Sequence, residues 1–332
     1  MKEFMIQKIV IAVALVAGLV HAQQNQFPYD SYSQENGITT IHVQGNVYML
    51  QGAGGNVAVQ IGDMGVVVVD TGNGQNSDKL IAAVRKLSNK PIQYIVNTSM
   101  DAVHTGGNDD VRKAGVTITG ANVAGNLTDA TAGAAIIAHE NVLNRLSAPT
   151  GQKAVAPFGA WPTITYVTGQ NELYFNEEPI EARWQPSAHT DGDSLVVFRR
   201  SDVVATGDIF STLSYPVIDI ERGGSIQGEL DALNNILDIA IPKHEEEGGT
   251  YIIPGQGRIC DEFDVLEYRD MVTIIRDRIQ NAIKKGMTLE QIKTAGLTKD
   301  YDARWSAKQG PATADNFVSA VYRSLTAPPK KK

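Results

Sequence analysis

The chain has 332 residues and a formal net charge of −8, with 42% hydrophobic and 20% charged residues. That balance suits a folded protein with a sizeable core and argues against nucleic acid as a partner, since such binding needs clustered Lys and Arg. A single cysteine, Cys260, allows no intramolecular disulfide and no cysteine-rich metal site, and reads as a small buried apolar residue.

Residues 1–22 have the order of a secretory signal: Lys2 and Lys8, the apolar run Ile9 to Val20, then Val20-His21-Ala22. The run is shorter than the roughly 20 residues that span a bilayer. The expectation is therefore export to the periplasm or beyond, a mature chain starting near Gln23, and no membrane span in it. Residues 23–36 read as a flexible lead-in and 327–332, ending in three lysines, as a disordered tail. One domain is expected over 37–326.

From Thr39 onward, short β-branched runs separated by Gly-Asn and Gly-Gly turns predict a meander of hairpins: Ile41 to Val43, Val47 to Leu50, Val57 to Ile61 and Val66 to Val69. The last run, apolar on both faces, ends in Asp70-Thr71-Gly72. Leu80, Ile81, Val84 and Leu87 have helical spacing, and the strand-like run Ile92 to Val96 completes a β-α-β unit. A short helix is expected over 109–113, a strand over 116–120, and an Ala-rich helix over 121–146 that carries His139. Residues 149–162, rich in Pro and Gly, read as a loop over the site face. Strands are expected over 163–167, 172–175, 180–184, 194–198, 202–206 and 251–253, and helices over 225–240, 261–285, 288–295 and 313–325.

Strand-like runs repeatedly end in polar corners, and the carboxyl ends of strands are where α/β folds place ligands. The corners are Asp70-Thr71-Gly72, Asn97 to Asn108, Ala188-His189-Thr190-Asp191-Gly192-Asp193, Thr206-Gly207-Asp208 and Pro254-Gly255-Gln256-Gly257. In wording and order, these corners resemble the metal-binding corners of the metallo-β-lactamase superfamily, over roughly residues 40–260. The likeness extends to an exported bacterial branch similar to subclass B β-lactamases and quinoprotein-associated zinc hydrolases. The resemblance implies an αβ/βα four-layer sandwich, two mixed β-sheets flanked by helices, and a pair of divalent metals.

In the superfamily's loop, usually Thr-His-x-His-x-Asp-His-x-Gly-Gly-Asn, Thr98, His104, Gly106, Gly107 and Asn108 agree. Ser99 and Asp101 stand where two histidines belong, Val103 where an aspartate belongs, and Gln256 where a later histidine belongs. Valine cannot ligate, and neutral Ser and Gln are poor zinc ligands. The useful donors left are Asp101, His104, His189 and Asp208, enough for one metal and too few for two. Zinc is the first candidate ion, with iron and manganese as alternatives, and a metal-free pocket also stays open.

Two accounts follow. In one, an exported hydrolase uses at most one metal to activate water against an ester, lactone or amide, with Asp208 or Asp101 as the assisting base. In the other, a pseudoenzyme binds a small molecule or a partner protein in the inherited pocket. An active β-lactamase is a weaker third. Asp70 reads as a hydrogen-bond acceptor that holds the loop rather than as a ligand, and Gln256 as a pocket-lining amide. His139 and His42 read as structural or surface residues. His104 could equally be a satisfied core histidine, while His189 stands in a polar turn where packing gives no reason for an imidazole.

Overall fold

In the computed structural model, which describes residues 32–117, 133–148, 152–245 and 248–327, the apolar runs pair into two sheets. The larger sheet contains β1 (Tyr32–Glu35), β2 (Ile38–Gln44), β3 (Val47–Gln51), β4 (Val57–Gly62), β5 (Gly65–Val69), β6 (Ile92–Val96), β7 (Ala135–His139) and β8 (Ile164–Tyr166), adjacent in that order. Its first five strands pair antiparallel, joined by tight turns. From β5 to β8 pairing is parallel, and the crossover between β5 and β6 is the helix α1 (Ser77–Leu87). The smaller sheet runs β13-β12-β11-β10-β9, with β9 (Gln170–Phe175), β10 (Glu178–Trp184), β11 (Ser194–Phe198), β12 (Val203–Ala205) and β13 (Tyr251–Ile253). Only its β12–β13 pair is parallel.

The side-chain period of two explains how these strands build layers. On β11, Val196 and Phe198 face β5 residues Val67 and Val69 across the gap between sheets, whereas Leu195 and Val197 face outward into a second core. Val66 and Val68 likewise face outward and pack on Leu80 and Val84 of α1 and on Val111 of α3 (Asn108–Ala114). Both sheets are thus buried on both faces, which is why β5 and β11 read as unbroken apolar runs. Burying each such Val or Leu contributes about 1.5–3 kcal/mol before the entropy of ordering is subtracted.

The outer face of the small sheet is covered by α5 (Ile226–Ile239) and α6 (Glu262–Lys284), with α7 (Leu289–Ala295), α8 (Lys299–Trp305) and α9 (Ala314–Thr326) packed around them. Helix α6 starts at a capping box in which Asp261 and Asp264 bond each other's backbone N–H groups, and α7 starts at the same device built from Thr288 and Gln291. The arrangement is the expected αβ/βα sandwich. No described helix is long and apolar enough to cross a membrane.

Three local expectations need correction. Residues 32–35 of the supposed lead-in form β1, paired to β2 from Tyr32↔Ile41 to Glu35↔Ile38. Val116 and Thr117 lie outside any strand, Val116 instead donating its N–H to the Ile92 carbonyl. The expected long Ala-rich helix is, where described, a strand and then a short helix, β7 followed by α4 (Glu140–Leu146). Flanked by β6 and β8, Ile136 and Ile137 bury opposite faces of an interior parallel strand, and sheet pairing overrides the helical preference of alanine. His139 therefore ends β7 and caps α4, its Nδ1 accepting the Asn141 N–H at 3.2 Å. The signal segment 1–22, most of the lead-in, residues 118–132 and the tail after 327 lie outside the described residues.

Candidate metal centre

Strands β5, β6, β12 and β13 all release the chain at the same end of the sandwich, and their corners interlock through backbone. Thr98 accepts from Ser194 N–H at 2.8 Å, Gly255 accepts from Asn56 N–H at 2.8 Å, and His104 accepts from Thr71 N–H at 2.7 Å. The 97–108 loop is clamped by its own amides: Asn97 and Asn108 exchange side-chain hydrogen bonds of 3.0 and 2.8 Å, and Thr71 Oγ1 donates to Asn108. Gly207 makes the closest approach possible. It adopts φ +54, and a Cβ there would stand 2.3 Å from Thr98 Oγ1.

Asp70 holds a left-handed backbone conformation, φ 64, unusual for a residue with a side chain. Its buried carboxylate accepts from Thr98 N–H (2.8 Å), Thr98 Oγ1–H (2.6 Å) and His104 Nδ1–H (2.7 Å). A carboxylate on one imidazole nitrogen fixes the ring so that the other nitrogen is presented, as in histidines that ligate metals. That other nitrogen, Nε2, stands 3.0 Å from Asp208 Oδ1.

On the opposite wall, His189 Nδ1–H donates to the Val217 carbonyl at 2.5 Å, which turns Nε2 toward Asp101 Oδ2 at 3.2 Å and Asp208 Oδ2 at 3.6 Å. Asp101 occupies the N-cap position of α2 (Ala102–Thr105), yet its side chain makes no cap bond. Its carboxylate is used instead by His189 and by Arg222, whose Nη1–H donates to Oδ1 at 2.8 Å. Asp101, His189 and Asp208 each offer one ligand atom, and the three atoms lie within 4.8 Å of one another.

Of the sequence-derived donors, the structure brings Asp101, His189 and Asp208 together; His104 meets Asp208 and is not in the mutually close group. Asp70 stands behind His104 as an acceptor. Ser99 is fully buried, and its hydroxyl helps to stabilise the Asp208 carboxylate. Val103 is placed through its backbone, accepting the Gly55 N–H at 3.3 Å, and Gln256 is exposed with Asp208 at the edge of a cleft.

Charges in this cluster are strongly coupled. Burial disfavours an imidazolium at His104, but Asp208 and Asp70 more than offset it and raise its pKa well above the ordinary value. His189 is raised in the same way, burial being outweighed by Asp208 and Asp101 among others. Burial opposes ionisation of Asp208 too, and the two histidines nevertheless hold its pKa below the usual carboxylate range. The Asp101 pKa is lowered, chiefly by the hydrogen bond from His189.

The donors suit one divalent cation. Carboxylate oxygens and an imidazole nitrogen are each donors that zinc, iron or manganese accept. Asp208 Oδ2, 3.6 Å from His189 Nε2, is buried without a hydrogen-bond partner, the kind of polar atom an ion would satisfy.

Three participants were not singled out from sequence. Arg222, in the turn after Asp219, takes one oxygen of Asp101. Asp193 closes the 188–193 corner by accepting from Thr190 N–H (2.6 Å) and Oγ1–H (2.9 Å), and burial pushes its pKa up to about 6. Glu229 of α5 is wholly buried, with neither carboxylate oxygen hydrogen-bonded. Arg222 had one sequence signal, a charge beside the Gly223-Gly224 turn; a glutamate in an amphipathic helix had none.

The corners and the fold are those of a superfamily of hydrolases. The sequence model of the metallo-beta-lactamase superfamily matches residues 43–243, and the chain belongs to that family. Among solved structures, the chain is similar to the stereoselective inverting sec-alkylsulfatase Pisa1 from Pseudomonas sp., with TM-score 0.58 and 15% identity, covering 86% of this chain and 49% of that one. It thus spans about half the length of the alkylsulfatase. It is also similar to a metallo-beta-lactamase from Pontibacter korlensis (TM-score 0.50, 12% identity, 73% of this chain and 98% of that one) and to the B3 metallo-beta-lactamase BLEG-1 (TM-score 0.50, 19% identity, 66% and 94%). At these identities the likeness establishes the fold. No curated protein matches the chain.

Proposed function

We propose that the chain is an exported hydrolase with a remodelled, one-metal centre that acts on an ester, lactone or amide. The observation that carries this reading is the convergence of Asp101, His189 and Asp208 ligand atoms within 4.8 Å, with His104 Nε2 beside them at 3.0 Å from Asp208 Oδ1. Asp101, His189 and Asp208 would hold the ion, with His104 beside Asp208. A divalent ion so held supplies a water of lowered pKa and polarises a carbonyl. Asp70 and the Val217 carbonyl keep each imidazole oriented, and the carboxylate of Asp208 or Asp101 can take a proton from a nucleophilic water. Ser99, Val103 and Gln256 supply no strong donor, so a second ion has no protein cage. Export rests on the composition of residues 1–22.

One observation favours a metal-free binding protein instead. Asp70, Asp101 and Asp208 are balanced by His104, His189 and Arg222, so the cluster is already self-neutralised. Elemental analysis of protein purified without chelator, followed by titration with zinc, iron and manganese, separates the readings. The hydrolase reading requires about one ion per chain, lost in Asp101→Ala and His189→Ala. Absence of metal above background under all three ions would leave the binding protein standing.

A further inference from the structure

The last wall of the centre comes from residues far beyond the family match. A cleft of about 330 Å³ opens beside Asp208 and Gln256, bounded on one side by residues 211–217 and on the other by the segment between α8 and α9, including Gln309, Pro311 and Ala312. That second wall is fixed in place. Tyr215 N–H donates to the Trp305 carbonyl at 2.7 Å, its hydroxyl donates to Asp302 at 2.9 Å, and its ring stacks on Phe317 of α9 with centroids 4.9 Å apart. Tyr268 of α6 adds a bond from its hydroxyl to the Ser214 carbonyl at 3.1 Å. Residue 217 of the same segment carries the carbonyl that orients His189. The C-terminal helices therefore shape the cleft and steady a metal donor through one stretch of chain.

The chemistry of the lining is one-sided. Among the described residues that form it, Asp208 is the only charged one, at the end next to the donors; the remainder are apolar or neutral, Leu213, Val217 and Pro311 among the former and Gln256 and Gln309 among the latter. An anionic substituent placed along the cleft would lose water and find no cation, a loss that discriminates strongly against it. The volume lies at the small end of ligand sites.

We infer that this cleft binds the non-reacting body of a small, uncharged ester, lactone or amide, and that the α8–α9 segment is the specificity-determining wall. The inference rests on the proposed hydrolase reading for the reaction and on the cleft alone for binding. Full-length protein, both chelator-stripped and zinc-loaded, is titrated by NMR with γ-butyrolactam and with pyroglutamate, the same ring bearing a carboxylate.

The neutral lactam is expected to shift resonances of the 211–217 and 307–312 segments, with pyroglutamate at least about tenfold weaker in the stripped protein. Gln309→Trp, at an exposed position, should fill the cleft and weaken the lactam about tenfold with melting temperature unchanged, and Leu213→Asp should weaken it similarly. Equal binding of both rings to stripped protein, or full binding by a folded Gln309→Trp variant, would overturn the inference. Lactam binding at the cleft by a protein that binds no metal and leaves γ-butyrolactone intact would support the cleft and sink the hydrolase reading separately.

Discussion

Arg222 and Glu229 are the two charged residues whose placement says most about the centre. Arg222 donates to Asp101 Oδ1, leaving Oδ2 toward His189, and so sets which carboxylate oxygen is free while placing a positive charge beside the cation position. Like charges a few ångströms apart at a half-exposed site repel by on the order of 1 kcal/mol. Arg222→Ala is therefore expected to tighten zinc binding about tenfold in a competition titration against a chromophoric chelator. Unchanged or weaker binding would mean that the guanidinium acts mainly by positioning Asp101. Glu229 poses the opposite problem, an acid without a partner. Burial raises its pKa well above the ordinary 4.5, with Asp193 and Asp208 acting in the same sense as burial. The unfolded chain ionises this group at lower pH than the folded chain does. Stability is thus lost as pH climbs above 4.5 toward the folded value. Glu229→Gln, neutral in both states, should melt with wild type below pH 4.5 and progressively higher than wild type toward pH 8, by roughly 2–4 °C per kcal/mol gained. Parallel melting curves across that range would show that Glu229 has a proton partner. The Arg222–Asp101 pair was not legible in the sequence because 121 positions separate its members. His189 and Asp208 were legible, because each follows a strand in a corner of Gly, Thr and Asp.

At the scale of elements, the centre exists because the ends of β6 and β12 touch. Gly207 is the contact: φ +54, with the path of a Cβ blocked by Thr98 Oγ1 and Cβ. Gly207→Ala must both strain the backbone, at about 1–2 kcal/mol, and push the two corners apart. Both thermal stability and zinc stoichiometry are expected to fall, read by calorimetry and elemental analysis on the same sample; stability falling alone would show that the donors tolerate the displacement. Such corners announce themselves in sequence because glycine and aspartate act locally. The strands between them were less uniform. β5 and β11 were readable from their apolar runs, Val66 to Val69 and Leu195 to Phe198, whereas β7 was not. Its Ala135 to His139 stretch owes its extended form to hydrogen bonds with β6 and β8, partners about 25 to 40 residues away in sequence that local periodicity does not register. β1 escaped for a related reason, since Tyr32 to Glu35 is polar and edge-placed and has no apolar pattern to betray it. The short helix α8, which contributes Trp305 to the large helical core, was hidden in a stretch of mostly charged residues.

For the molecule as a whole, metal and protons compete for the same side chains. His104 and His189 have raised pKa values because of Asp70, Asp101 and Asp208. In the metal-free protein their charged forms favour folding. That contribution is complete below the unfolded histidine value of 6.5 and fades as pH rises through the raised folded values. An ion needs His189 neutral and so displaces its proton, which makes metal affinity rise over the same interval. The two trends reinforce each other in one observable, the increase of melting temperature on adding zinc, since a ligand of the folded state stabilises by RT ln(1 + [L]/Kd). The increase should be small near pH 6 and grow steadily to pH 8.5, where about a hundredfold excess of zinc over Kd would contribute roughly 2.7 kcal/mol. His189→Gln should abolish both the increase and its pH dependence. An increase that is the same at both ends of the range would mean that zinc enters without displacing an imidazole proton, and would place the ion on carboxylates alone, away from His189.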